Sequence, residues 1–373
     1  MRGSRCLLLA AWLVPRSYAE PGMQPDMTFV PNFQTEQQFH DRVAQSSWHI
    51  NELAYVDGAS SAVLRHPYTI LHAAHDELFV ASFTLNHVVK LRWLSGKRAQ
   101  YKVFVSGRDL DGPVGMALQA DSLYVASFTN DVVLRINATS GALLSRIGGE
   151  DTLDCPEGIA IGPDGILYVA SFLLPHLSKF DPISGQFLGK FGTVSSAASA
   201  WSTWSMPIPP SSGGMPSLSD LQASAEKRPR PTLSGAEDLT FDLEGNVHVT
   251  AYYSNAIFKF NRSSGALSHQ YGKGLVHGPV GVTCDPLSGD IFVSSYKDHR
   301  VLRFSAAGQF IGVAAGAGVE GHARTKGRTS ISSPSGLAFA EDGTLWVASY
   351  TTGAVTRFNN TAGGARTFWR VTS

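Results

Sequence analysis

Six near-copies of one apolar pentapeptide punctuate the chain. They are Phe79-Val-Ala-Ser-Phe83, Tyr124-Val-Ala-Ser-Phe128, Tyr168-Val-Ala-Ser-Phe172, His248-Val-Thr-Ala-Tyr252, Phe292-Val-Ser-Ser-Tyr296 and Trp346-Val-Ala-Ser-Tyr350. Successive copies start 45, 44, 80, 44 and 54 residues apart, and both long gaps hold their excess in loop-like sequence. A short apolar run precedes each copy, as at Gly115–Leu118 and Gly158–Ile161. Tight turns such as Gly162-Pro-Asp-Gly165 join the two, with Asp-Gly at the positions that need φ > 0. An alternating strand follows (Val132–Ile136, Val301–Phe304), then a polar turn ending in Gly141, Gly185 or Gly265, then a fourth strand such as Ala142–Ile147.

Each repeat therefore reads as four antiparallel strands with no helix-length pattern. A period near 44 residues matches one blade of a β-propeller, so the expected fold is all-β, with six four-stranded blades over residues 66–373. The small residues inside each pentapeptide suit strands that converge on a central axis. The aromatics at its ends suit the wider space between blades. Residues 20–65 form an N-terminal extension in which Leu53–Val56 and Ala62–Leu64 look like strands. They offer an outer strand to latch the ring, although the last repeat reads as complete by itself.

The first 19 residues read as a signal peptide. Arg2 and Arg5 precede the apolar run Cys6–Val14, and Ser17-Tyr18-Ala19 supplies small residues for cleavage. Nine apolar residues are too few to span a bilayer, which takes about 20. The expectation is an exported, secreted monomer without a membrane span. The whole chain balances 30 Lys+Arg against 30 Asp+Glu, and losing Arg2, Arg5 and Arg16 leaves an excess of three acids. That charge gives no reason to expect nucleic acid as a partner. Cys155 and Cys284 fall at opposite ends of different repeats, so no disulfide between them is expected.

In this strand order the loops before each first strand open on the same face as those joining second to third strands. Polar groups meeting there make the candidate ligand-binding face. The slot opening each first strand reads Tyr68, Val114, Glu157, Glu237, Val280 and Ser335, with Asp238 beside Glu237. The other loop set offers His87, Asn130, Asp131, His176, Asn255, Asp298 and His299. A hard divalent cation such as Ca²⁺ wants six to eight oxygens, and Glu157, Glu237 and Asp238 are the candidate metal ligands.

No G-x-S-x-G or H-E-x-x-H occurs. Gly316-Ala-Gly-Val-Glu-Gly321 has phosphate-loop spacing but no following helix to supply a dipole. The insertion at about 193–234 is rich in Ser, Ala, Pro and Gly and reads as a low-complexity loop, with Trp201 and Trp204 as its aromatics. Asn137, Asn261 and Asn359 head sequons in equivalent turns on the opposite face, and are the candidate glycosylation sites.

The run from Cys155 to Ser171, continuing through Lys179-Phe-Asp-Pro-Ile-Ser-Gly185, resembles NHL-repeat propellers and the related streptogramin-lyase-like and SMP-30/gluconolactonase-like families. The resemblance implies the propeller fold over residues 66–373. Streptogramin-lyase-like repeats carry an acid where this chain has Ser82, Ser127, Ser171, Ala251, Ser295 and Ser349. The Asn-Asp-Gly-like stretch of SMP-30-like lactonases is not found either. NHL-type propellers often act as binding platforms. The expected function is thus a binding module for a protein, a carbohydrate or a small molecule in the channel mouth. A metal-dependent hydrolase or lactonase of the SMP-30-like kind is the alternative.

Overall fold

The computed structural model describes residues 50–56, 64–74, 77–94, 98–107, 109–192, 233–316, 331–340 and 342–360. The signal-peptide segment, nearly all of the low-complexity insertion, and the basic runs Lys227–Arg230 and Arg324–Arg328 of the two long inter-repeat segments lie outside the described residues. One strand, β1 (Ile50–Val56), precedes the repeats. The first blade holds β2 (Pro67–Ala74), β3 (Glu77–Ser82), β4 (His87–Leu94) and β5 (Arg98–Ser106). The second holds β6 (Pro113–Gln119), β7 (Ser122–Ser127), β8 (Val132–Asn137) and β9 (Leu143–Ile147). The third holds β10 (Pro156–Ile161), β11 (Leu167–Ser171), β12 (Leu177–Phe180) and β13 (Phe187–Phe191). The fourth holds β14 (Ala236–Phe241), β15 (Val247–Ala251), β16 (Ala256–Phe260) and β17 (Leu267–Tyr271). The fifth holds β18 (Pro279–Cys284), β19 (Ile291–Ser295), β20 (Arg300–Phe304) and β21 (Phe310–Gly316). The sixth takes β22 (Pro334–Phe339), β23 (Leu345–Ser349) and β24 (Ala354–Asn360) from the last repeat.

The chain is a six-bladed β-propeller: six antiparallel four-stranded sheets, each paired in sequence order. The sixth departs from that rule, because its fourth strand is β1, antiparallel to β24 with Ile50 opposite Asn360 and Val56 opposite Val355. The last repeat is therefore not complete by itself, as its sequence suggests. Its outer edge is covered by the N-terminal extension, so both ends of the chain lock one blade.

Each pentapeptide forms the second strand of its blade. The valines at its second position (Val80, Val125, Val169, Val249, Val293 and Val347) are all fully buried. Each contributes about 1.5–3 kcal/mol by burial. Among the described residues the core divides into six apolar clusters between successive blades, and the cluster between the second and third blades reaches in to the axis. No helix of the described residues is long and apolar enough to cross a membrane.

The β1–β24 pairing gives a direct test. Six registered cross-strand pairs hold β1, worth about 0.2–1 kcal/mol each. A chain starting at Gly58 should lose about 1–6 kcal/mol against one starting at Ser47. The loss is read by denaturant melts, and an added peptide spanning residues 49–57 should restore part of it.

Candidate functional site

All six first strands break register at the same place. Pairing slips between Pro67 and Ile70, Pro113 and Met116, Pro156 and Ile159, Ala236 and Leu239, Pro279 and Val282, and Pro334 and Leu337. Such bulges re-aim side chains. Here they turn the slot holding Tyr68, Val114, Glu157, Glu237, Val280 and Ser335 to the narrow end of the blades, where it is buried throughout. The next residue is Gly115, Gly158, Gly281 or Gly336 in four blades. A methyl group on any of these would sit closer than 3.0 Å to the backbone of the following blade. Neighbouring inner strands thus touch main chain to main chain, which fixes how tightly the axis closes.

Glu157 and Glu237 meet inside this constriction. Glu157 is fully buried and Glu237 is 1% exposed. The Tyr68 hydroxyl donates to Glu237 Oε2 at 2.6 Å. Tyr68 lies near enough to favour the charge on Glu157 as well, but its one proton is committed to Glu237. Both oxygens of Glu157, and Oε1 of Glu237, have no hydrogen-bond partner within the protein, nor does the buried Tyr350 hydroxyl. Burial pushes the Glu157 carboxyl well above the ordinary range, and the neighbouring Glu237 pushes the same way. Burial also raises Glu237, to about 8, against the favourable Tyr68 bond.

Asp238 differs from its neighbour. Its Oδ1 accepts the Leu239 N–H at 2.9 Å and its Oδ2 accepts the Val282 N–H of the next blade at 3.0 Å. Burial nonetheless holds its carboxyl at about 7. A small, partly open cavity lies against Tyr68, Gly158, Glu237, Asp238, Val280 and Gly281, with about 10 Å³ open to the centre of a water-sized sphere.

Above the acids stand the aromatics that end the six pentapeptides. Phe83, Phe128, Phe172 and Tyr350 are buried, whereas Tyr252 and Tyr296 are half-buried. Ring contacts run Phe128–Phe83–Tyr68–Tyr350–Tyr296, with centroids 5.8–6.2 Å apart. Tyr253 bridges Phe172 and Tyr252 at 5.3 and 5.4 Å. Burial raises the Tyr252 and Tyr296 hydroxyls, and the Glu237 charge adds to both shifts. These rings form two contact series, a collar close enough to the acids for Glu157 to act on Tyr350 and Glu237 on Tyr252 and Tyr296.

The remaining predicted residues of this face do not join them. Asp131, Asn255 and His299 all have positive φ. Each accepts the N–H of the residue before the next blade: Asp131 from Cys155 at 2.7 Å, Asn255 from Gly278 at 2.8 Å and His299 from Ser333 at 2.9 Å. Asn86 does the same for Gly112 at 2.9 Å. These side chains staple blades together. Asn130 donates to the Asp109 carbonyl at 3.1 Å, and Asp298 holds Ser295 and His277 at 2.7 and 2.8 Å. His87 and His176 are buried, and burial, with Lys190 nearby, lowers the His176 ring to about 4. The axial cavity is lined by Glu237 and Asp238, and by neither histidine nor Glu157.

The candidate metal ligands fare differently from expectation. Glu157, Glu237 and Asp238 do not bring three ligand atoms within 4.8 Å of one another. Asp238 spends its oxygens on two backbone N–H groups instead. Among the described residues only Asp131, Asp154 and Cys155 meet that distance, and Asp131 is one of the blade staples. Cys284 is a free thiol, in line with the absence of a Cys155–Cys284 disulfide. In the polar turns, Asn137 Oδ1 accepts the N–H groups of Thr139 and Ser140, and Asn261 Oδ1 those of Ser263 and Ser264. Antiparallel pairing puts these turns at the end of the blade opposite the mouth. The Asn359 side chain lies outside the described residues.

One buried network escapes the sequence reading. His248 replaces the aromatic that opens the other pentapeptides. It bonds Tyr271 Oη at 2.8 Å and Asp242 Oδ2 at 3.2 Å, and Lys259 Nζ reaches the same oxygen at 2.9 Å. His248 is wholly buried and Asp242 is 5% exposed, so this Tyr–His–Asp array lies inside the blade packing. It replaces aromatic packing by a satisfied polar core.

No protein-family model matches the chain, and no curated protein does. Among solved structures, streptogramin B lyase superposes with a TM-score of 0.52 at 13% identity, over 84% of this chain and 97% of that one. An auxiliary nutrient binding protein from Bacteroides ovatus ATCC 8483 gives 0.56 at 12% identity, over 84% and 77%. Another from Bacteroides thetaiotaomicron VPI-5482 gives 0.55 at 12%, over 79% and 69%. The expected likeness to streptogramin-lyase-type propellers is thus seen, at the level of the fold. Where that family carries an acid, Ser82, Ser127 and Ser295 here accept the N–H groups of Arg65, Asp111 and His277 at 2.8–2.9 Å.

Two outcomes follow from this geometry. Gly281→Ala should cost about 1–3 kcal/mol or more, because only backbone can yield; a melt midpoint within error of wild type would contradict the main-chain contact. The acids set the second. A carboxyl raised in the folded state stabilises fully below its unfolded value near 4.5, and that contribution disappears as pH rises through about 8 for Glu237. Glu237→Gln should therefore melt higher relative to wild type at pH 8.5 than at pH 5.

Proposed function

We propose that the chain is an exported, non-enzymatic binding propeller that takes its ligand at the axial mouth. The observation that carries this reading is the set of buried carboxylate oxygens on Glu157 and Glu237 with no partner in the protein, under an aromatic collar. Buried polar atoms are otherwise nearly always paired, and an unsatisfied one costs about 1–3 kcal/mol. The same slot holds valine in two other blades, Val114 and Val280, so the fold does not require acids there. A propeller hosts many activities, and both a lyase and nutrient binding proteins share this architecture. The site, not the fold, must decide. A metal-dependent hydrolase would need ligand atoms that converge, and those of Glu157, Glu237 and Asp238 do not.

Thermal shift against neutral sugars, amino acids and small amines tests the reading. At least one class should raise the midpoint, by about 2.7 kcal/mol of stability at a hundredfold excess over its dissociation constant. The effect should fall about tenfold or more in affinity in Tyr252→Ala and Tyr296→Ala, which alter only the half-buried wall. EDTA should leave the midpoint unchanged, and the ligand should be recovered intact. A Ca²⁺ shift lost in Glu157→Ala, or consumption of the ligand, would establish the metal-dependent enzyme instead.

A further inference from the structure

The chemistry of the mouth narrows what can sit in it. Three carboxylate oxygens, Glu157 Oε1 and Oε2 and Glu237 Oε1, are buried and unpartnered on neighbouring blades. Among the described residues no lysine, arginine or histidine forms an ion pair with Glu157, Glu237 or Asp238. At the collar, Lys297 is exposed and lies 4.8 Å over the Tyr252 ring, and His66 stacks on Tyr350 at 4.7 Å with burial lowering its pKa. Among the described residues the site is acidic with no paired counter-charge.

That arrangement selects among ligand groups. An anion would face two acids. A hydroxyl offers one proton and leaves two oxygens unpaired. A primary ammonium offers three N–H donors to three oxygens, in charge-assisted bonds. The axial cavity, lined by Glu237, which acts on Glu157 of the neighbouring blade, accepts a water-sized group, which an –NH3⁺ is and a trimethylammonium is not. Tyr252 and Tyr296, the two half-buried rings of the collar, offer apolar faces beside which a carbon stem can leave.

We propose that the mouth binds the primary ammonium group of an organic amine, held by Glu157 and Glu237, with the stem against Tyr252 and Tyr296. This rests on the mouth being the binding site. Binding leaves the amine charged and turns the protonated acid below it into a carboxylate, so a proton goes to solvent. Besides each other, the groups facing these acids are Tyr68, Asp238, Tyr252, Tyr296 and Tyr350.

Calorimetric titration of the full mature protein at pH 6.5 decides the matter, with four probes: phenethylamine, its N-trimethyl derivative, 2-phenylethanol and phenylacetate. The amine should bind at least about tenfold tighter than each of the others. Heats in buffers of different ionisation enthalpy should report net proton release with the amine alone. Glu157→Gln should lower amine affinity about tenfold or more and leave 2-phenylethanol unchanged. Should that variant fail to fold, Glu237→Gln reads the same loss. Equal affinity for amine and alcohol, equal affinity for the trimethyl probe, or no amine binding at all overturns the inference. If a neutral ligand still depends on Tyr252 and Tyr296, the binding-site reading survives that failure. If the amine binds Tyr252→Ala and Tyr296→Ala as well as wild type, it binds elsewhere and both readings fall.

Discussion

The main-chain contact between neighbouring inner strands governs this molecule. At four of the six blade junctions the first strands approach to backbone distance at the axis. Gly115, Gly158, Gly281 and Gly336 permit it where any Cβ would collide with the next blade. The bulge at the same point turns the preceding residue out of its sheet. One device therefore does two things: it sets the diameter of the ring and decides which six side chains occupy its centre. Everything else packs outward, in apolar layers between blades that widen from alanine to aromatic rings.

Polar loop residues serve the same closure. Asn86, Asp131, Asn255 and His299 each hold a left-handed backbone and accept an N–H from the start of the next blade. The accepted groups belong to Gly112, Cys155, Gly278 and Ser333, which also have positive φ. Each staple satisfies a backbone donor that the turn would otherwise strand. The third and sixth blades lack such a side chain. His176 is buried in the third, and Gly353 takes the left-handed position in the sixth.

The architecture was legible because the repeat prints its period six times, and because Val and Ala recur where burial demands them. The slot holding Glu157 and Glu237 was legible for the same reason, since equivalent positions in a rotational repeat must meet at the axis. Three things were hidden. The ring closure depends on β1, whose sequence carries none of the pentapeptide grammar and whose partner lies about three hundred residues away. The loop set of His87, Asn130, Asp131, Asn255, Asp298 and His299 looked like a ligand-binding rim, but a polar residue that caps a neighbouring N–H has the same composition as one that contacts a ligand. Asp238 looked like a third metal ligand, yet its slot is the glycine slot, so its carboxylate lies against the next strand's N–H groups.

What sets the two acids apart is that the fold has no use for them. Val280 and Val114 fill the same slot without cost, and packed hydrophobic residues generally stabilise such positions as well as or better than buried charges. Glu157 and Glu237 instead crowd two ionisable groups into a water-poor space. Each makes the other harder to ionise, and only one Tyr68 proton is shared with them. Stability gives no account of that arrangement, because replacing either acid by valine would relieve both burial and repulsion. The proposed binding of a cation beside these acids would account for it. Burial raises both carboxyls, and a cation bound beside them would favour their charged forms.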